Sequence, residues 1–154
     1  MKLIDLNEQP QWLPVIARWH FDEWQALYPN ETLDYFEADL KACLGAQTVP
    51  TTWLLMEGDQ VLGTTSVLKS DLHTHTHLSP WVANVYIVPE CRGQGLGRLL
   101  IGAVLKRLKA AGLGTVYLFT EDQTRFYEGL GFRELERTQL HDATVSVMST
   151  QLND

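Results

Sequence analysis

The sequence predicts an α+β fold: a mixed β-sheet with helices on both faces and a parallel pair of strands at its centre. Three features predict it. A strand, a glycine turn, a long amphipathic helix and a second strand follow one another over residues 82–119, the order of a right-handed βαβ unit whose strands run parallel. β-rich runs at 51–56 and 61–68, and again at 132–139 and 143–152, flank short polar turns as antiparallel hairpins do. Two amphipathic helical patterns precede the first hairpin.

Taken in order, residues 2–6 alternate as a short strand that Asn7 and Pro10 end. Leu13, Ile16, Ala17, His20 and Trp24 then recur at helical spacing, and Pro29-Asn30 stops that helix. Thr32 caps a second helix whose apolar positions are Tyr35, Phe36, Ala38, Leu40 and Leu44, and Gly45 closes it. After the first hairpin comes a polar connection, 70–80, that carries three histidines. The strand at 82–88 leads into a helix bearing Leu96, Leu99, Leu100, Ala103, Val104, Leu108 and Ala111 on one face, ended at Gly112 or Gly114. A strand at 116–119, a short helix at 123–130 stopped by Gly131, and the second hairpin complete the chain.

A chain of 154 residues suits one domain, 1–154, with a real core. Apolar residues at 45% and charged residues at 20% are globular values, with no repeat or low-complexity tract. No apolar run approaches the roughly 18 residues of a membrane span, and the start does not resemble a signal peptide. Cys43 and Cys91 fit no metal or redox spacing, so free thiols and a cytoplasmic location are expected. A net charge of −7 argues against a nucleic-acid partner, and no membrane partner is expected. Arg92, Arg98, Lys106, Arg107 and Lys109 concentrate on or beside the long helix, where they can face an anion, while an otherwise acidic surface suits a cationic one.

The glycine turn carries the chemistry. In Arg92-Gly93-Gln94-Gly95-Leu96-Gly97-Arg98 alternate glycines remove the Cβ atoms that would hold the backbone away from a ligand, and the turn opens a helix N-terminus. Successive N–H groups there form an anion site. A triphosphate loop needs Gly-Lys-Ser/Thr, whereas Arg98 and Leu99 follow Gly97; a dinucleotide fingerprint needs a third glycine where Arg98 or Leu100 stands. What remains, Arg-x-x-Gly-x-Gly after Val88-Pro89, resembles the acyl-CoA pyrophosphate loop of the GNAT superfamily of N-acyltransferases. Phe126-Tyr127-Glu128-Gly129-Leu130-Gly131-Phe132 is the second matching segment, and the element order agrees with that fold from end to end.

The resemblance implies a sheet of about seven strands flanked by about four helices, with acetyl-CoA as cosubstrate. It implies that the fourth and fifth strands splay, with the pantetheine arm pairing near Ile87 and Val88, the amides from Arg92 to Arg98 on the pyrophosphate, and Thr120, Gln123 and Phe126 lining the far wall. Many relatives have asparagine where this chain has Thr120. Tyr127 corresponds to the family's general acid: a departing thiolate of pKa roughly 8.5 needs a proton, and a phenol can give one. Many relatives carry a glutamate base on the fourth strand; the equivalent here is Asn84, which cannot accept a proton.

Several groups, or water, can replace it. Asp71, His73, His75 and His77 precede that strand on the acceptor side, and His20 and Glu23 lie on the first helix. The alternating imidazoles at 73, 75 and 77 have ligand-like spacing in an extended segment, but no acidic or thiol cluster completes a zinc site, and no metal is expected. Among five tryptophans, Trp24 and Trp81 are best placed to face a substrate, so a positively charged amine beside aromatic or apolar bulk is the expected acceptor. The expected activity is direct acetyl transfer to a primary amine of a small molecule or peptide N-terminus, by a monomer or homodimer. The alternative is a catalytically silent acyl-CoA-binding sensor or scaffold.

Overall fold

The computed structural model describes residues 1–153. Seven strands form one sheet: β1 (Lys2–Asp5), β2 (Thr51–Glu57), β3 (Gln60–Leu68), β4 (Trp81–Ile87), β5 (Thr115–Thr120), β6 (Arg133–Leu140) and β7 (Ala143–Gln151), in the order β1-β2-β3-β4-β5-β7-β6. Neighbours are antiparallel except β4 and β5, which are parallel. The helices are α1 (Leu13–Trp24), α2 (Leu33–Lys41), α3 (Leu96–Ala110) and α4 (Thr124–Glu128).

Strand alternation sends successive side chains to opposite faces, and the two faces have separate cores. Leu54 and Met56 of β2 pack with Ile16, Ala17, Phe36 and Leu40 of α1 and α2. Leu55, between them, packs with Val82 and with Leu100, Ile101, Val104 and Leu108 of α3. Each of those fully buried aliphatic side chains contributes roughly 1.5–3 kcal/mol by transfer from water. Tyr127 and Phe132 extend the α3 core across β5 and β7, so the segment around the glycine turn and the segment around Tyr127 share one rigid support.

The observed helices are shorter than the periodicity predicts. α1 ends at Trp24, and α2 ends at Lys41 rather than at Gly45. Gly45 serves another purpose: at φ +132° its N–H donates to Asn7 Oδ1 and its carbonyl accepts from Asn7 Nδ2, both at 2.9 Å, tying the α2–β2 connection to the end of β1. Thr32 stands at the N-cap of α2 in extended backbone, yet its side chain makes no capping bond.

Between β3 and β4 the register jumps from Thr64↔Tyr86 to Ser66↔Ala83, so Asn84 and Val85 together oppose Thr65. This is a β-bulge, with Asn84 at φ +54°, and bulges bend and twist their strand. Beyond it β4 leaves β5. The two pair only at Trp81↔Tyr117, where the Tyr117 N–H donates to the Pro80 carbonyl at 3.0 Å.

Candidate functional site

The parting of β4 from β5 opens a cavity of about 340 Å³. Val82, Ala83, Asn84 and Val85 form one wall, Leu118, Phe119 and Thr120 the other. Glu23, Trp24 and Tyr28 reach it from α1 and the chain after it; Asp71 comes from the β3–β4 connection; Gln123 is the N-cap of α4 and Tyr127 lies within that helix.

Backbone groups along β4 alternate in direction. The Val88 N–H donates to the Leu62 carbonyl at 2.9 Å and the Val88 carbonyl accepts from Cys91, so Val88 is committed to its own neighbours. Its N–H is thus turned to β3 and away from the gap, where the resemblance places a pairing with the pantetheine arm. By the same alternation the Ile87 N–H faces the open side, and its carbonyl accepts from Arg92 Nε at 2.7 Å.

The glycine turn lies at the end of this open edge. Gly93 and Gly95 adopt φ +76° and +81°, and a Cβ built on either would meet no atom within 4 Å, so the space above them is open to a bound group. Gly95 is the N-cap of α3, and the first helical bond runs from Leu99 N–H to the Gly95 carbonyl at 3.2 Å. The amides of Leu96, Gly97 and Arg98 therefore have no partner within the helix. Gly97 sits over Phe126, its would-be Cβ in van der Waals contact with the ring at 3.4 Å. An open strand edge running into unpaired amides at a 15-residue helix N-terminus fits a phosphopantetheine chain with a pyrophosphate at its end.

Arg92 departs from expectation. Its guanidinium pairs with Glu23 at 2.8 Å and lies 5.3 Å from the Tyr86 ring centroid, which ties the turn to α1 rather than extending over the glycines. Arg98 stays at the turn, with Nη2 donating to the Gly129 carbonyl at 3.3 Å. Gln94 is exposed there and Leu96 is buried beneath. Arg107, expected to face the anion, instead stacks 5.1 Å over Trp53 near the C-terminal end of α3.

Tyr127 is 8% exposed, wedged edge-on between Phe126 and Phe132 at 5.0 and 5.9 Å. Burial pushes its pKa up to about 12, so it holds its proton at neutral pH. Its hydroxyl makes no hydrogen bond among the described residues. Thr120 lines the cavity, its Oγ1 accepting from the Gln123 N–H at 3.0 Å and turning the chain into α4.

On the acceptor side the expectations divide. Trp24, Asp71 and Asn84 line the cavity. Trp81 does not: it is fully buried against Leu72, Val145 and Val147, with Nε1 donating to the Leu78 carbonyl at 2.6 Å. Alternation decides this, because Val82 faces α3 and Trp81 must face the opposite core. His20 is also buried, its Nε2 3.1 Å from Thr64 Oγ1 and its ring against Trp24 and Tyr86; burial holds its pKa down at about 3. It fastens α1 to β3 and does not reach the cavity. His77 is exposed and stacks on His75, which bonds Glu136 of β6. Residues His73–His75 form a turn of 3-10 helix rather than an extended run, so the three imidazoles do not share a side as their spacing suggests.

Sequence reasoning missed Tyr28, Asp39, Glu121 and Asp122. Glu121-Asp122 follows β5 directly and was legible as an acidic pair at a strand end. Asp39 reaches the site only because α2 packs over the bulge, where Asn84 Nδ2 donates to Asp39 Oδ2 at 3.4 Å.

Residues 13–132 match the acetyltransferase (GNAT) family. N-alpha-acetyltransferase 30 of Schizosaccharomyces pombe is 33% identical over 90 residues, covering 56% of this chain and 59% of that protein. The chain spans well under two thirds of the length of the curated relatives it matches. Among solved structures, a spermidine N-acetyltransferase chimera from Vibrio cholerae and hSSAT aligns over 99% of this chain and 96% of its own, with TM-score 0.73 and 19% identity. An aminoglycoside 6'-N-acetyltransferase complexed with coenzyme A covers 100% and 98%, with TM-score 0.72 and 14% identity. These two likenesses are likenesses of fold. No helix among the described residues is long and apolar enough to cross a membrane.

Proposed function

The chain belongs to the acetyltransferase (GNAT) family, and from that premise we propose that it transfers acetyl from acetyl-CoA directly to a primary amine of a small molecule or peptide N-terminus in a ternary complex. The observation that carries the reading is the gap between β4 and β5. It leaves an open strand edge on β4 that leads in sequence to a glycine turn with free helix amides, and a buried phenol with an unpartnered hydroxyl lines the cavity within it.

Bound acetyl-CoA supplies a thioester carbonyl, activated toward attack, and a sulfur leaving group. The chain's part is to hold and polarise. The Ile87 N–H faces the gap, and its position suits the developing oxyanion. The amine lone pair forms the C–N bond while the C–S bond breaks and sulfur departs with its electron pair. Tyr127, protonated at neutral pH, donates to that sulfur and is replenished by the proton the new amide sheds. Ile87, the amides of residues 92–98, Thr120, Gln123 and Phe126 are the proposed acetyl-CoA contacts.

The acceptor side is acidic and aromatic. Glu23, Asp71, Glu121 and Asp122 share the cavity with Trp24 and Tyr28, a setting that attracts a cation through both charge and ring quadrupoles. A polyamine or arylalkylamine is therefore the proposed type of acceptor, ahead of neutral amino sugars and acidic peptides. The test is CoA-thiol release with a panel of these amines, read with the mass of the acetylated product. Release that requires a cationic amine is expected; tight acetyl-CoA binding without release to any amine would overturn the enzymatic reading.

A further inference from the structure

An amine reaches the cavity at neutral pH as an ammonium, which has no lone pair and cannot attack until a base removes a proton. Asn84 occupies the wall of β4 and cannot serve. Of the carboxylates on the cavity, Glu23 is paired with Arg92, Asp122 accepts from Gln123 Nε2 at 3.3 Å, and Glu121 is exposed at the rim. Asp71 is half-buried and makes no hydrogen bond or ion pair among the described residues.

We propose that Asp71 is the general base for the acceptor ammonium, with Asp39 as a positioning residue that acts through Asn84 and through its own charge. The proposal rests on the acetyl-transfer reading above. In the step, one N–H bond of the ammonium breaks and its electron pair stays on nitrogen as the attacking lone pair. The proton forms an O–H bond with the Asp71 carboxylate and passes on to water at the cavity mouth.

The surroundings suit that role. Burial, and then the neighbouring Asp39 charge, push Asp71 up to about 7, so near neutrality it both takes and returns a proton. Asp39 on α2 is itself raised by burial, and the Asn84 amide holds it toward its ionised form. Tyr28 and Tyr35 are neutral phenols, both raised by burial and by these carboxylates. His141 packs its ring against Tyr28 from the β6–β7 turn, 6.0 Å away. Across the cavity stand Tyr127, Glu121 and Asp122, and α1 adds Glu23. On Asp71's own connection Lys69, His73 and His77 are exposed, and His75 is turned to Glu136. Among the described residues no cation pairs with Asp71, which leaves that place to the substrate ammonium.

The experiment measures kcat against pH with saturating acetyl-CoA and a cationic amine, alongside acetyl-CoA affinity by calorimetry and ligand-free thermal unfolding. Wild type is expected to show an acid limb with its midpoint near 7. Asp71→Asn is expected to lose that limb and about 10²-fold in kcat with acetyl-CoA affinity unchanged. Asp39→Asn removes a like charge, so the midpoint moves to lower pH, a readout that a purely structural role would not shift. Asp71 has a folded pKa above its ordinary value, so its ionisation costs stability: Asp71→Asn should melt above wild type at pH values over 7, the gap closing as pH falls toward about 4. Transfer by wild type with an unaltered kcat and limb in Asp71→Asn would overturn the base alone. Absence of transfer by wild type to every amine would overturn the acetyl-transfer reading and the base with it.

Discussion

The two sides of β4 are built oppositely. Toward β3 five residue pairs are in register on either side of a bulge; toward β5 there is one pair, after which the edge is left open. A central strand gains stability from pairing on both sides, and here half of that pairing is withheld to make a groove. The two ends of the groove differ as well. The proposed acetyl-CoA end is made of backbone, the αL glycines and the α3 amides, whereas the proposed acceptor end is made of side chains drawn from α1 and the chain after it, the β3–β4 connection and the β5–α4 loop. Backbone sites are set by local sequence, and side-chain sites by tertiary packing.

The sharpest way to break the contrast is Gly95→Val. A β-branched residue at φ +81° is strained, and its side chain would fill space that is now open above the turn. Acetyl-CoA affinity should be lost in calorimetry while circular dichroism keeps the native helix content. Unchanged affinity in a folded variant would mean the anion binds elsewhere.

Tyr127→Phe keeps the packing between Phe126 and Phe132 and removes only the proton donor. The expected loss in kcat is about 10²-fold or more, with acetyl-CoA affinity intact. Equal turnover would reduce Tyr127 to a core aromatic.

Two tryptophans sharpen the acceptor end. Trp24→Ala should raise KM for a cationic amine by an amount worth roughly 0.5–2 kcal/mol and leave acetyl-CoA binding alone. Trp81→Ala should instead lower thermal stability, because it empties a fully buried site. If Trp81→Ala changes KM at unchanged stability, the two have been assigned the wrong way round.

The smallest effect concerns His20. The unfolded chain takes up its proton near pH 6.5, while the folded protein refuses it until about pH 3, so stability should fall as pH drops through that window. A His20→Gln variant should show a shallower decline over the same range by urea titration.

The fold was legible because it rests on local periodicity and punctuation: the βαβ unit at 82–119, the two hairpins and the helix at α3 stand where the sequence puts them. Gly95 and Tyr127 were legible for the same reason, since each belongs to a contiguous motif. The acceptor side was not. Trp81 differs from a groove residue by one step of strand alternation, His20 differs from a surface base by which turn of α1 meets β3, and Asp39 enters only through the bulge at Asn84. None of these is encoded within a window of a few residues, and each depends on which elements pack together.

The most direct measurement is amide hydrogen exchange with and without acetyl-CoA. Slowed exchange is expected at Ile87 and from Gly93 to Arg98, with the β1–β2 pair unchanged. Slowing that spares the glycine turn, in a protein that binds acetyl-CoA, would contradict that expectation.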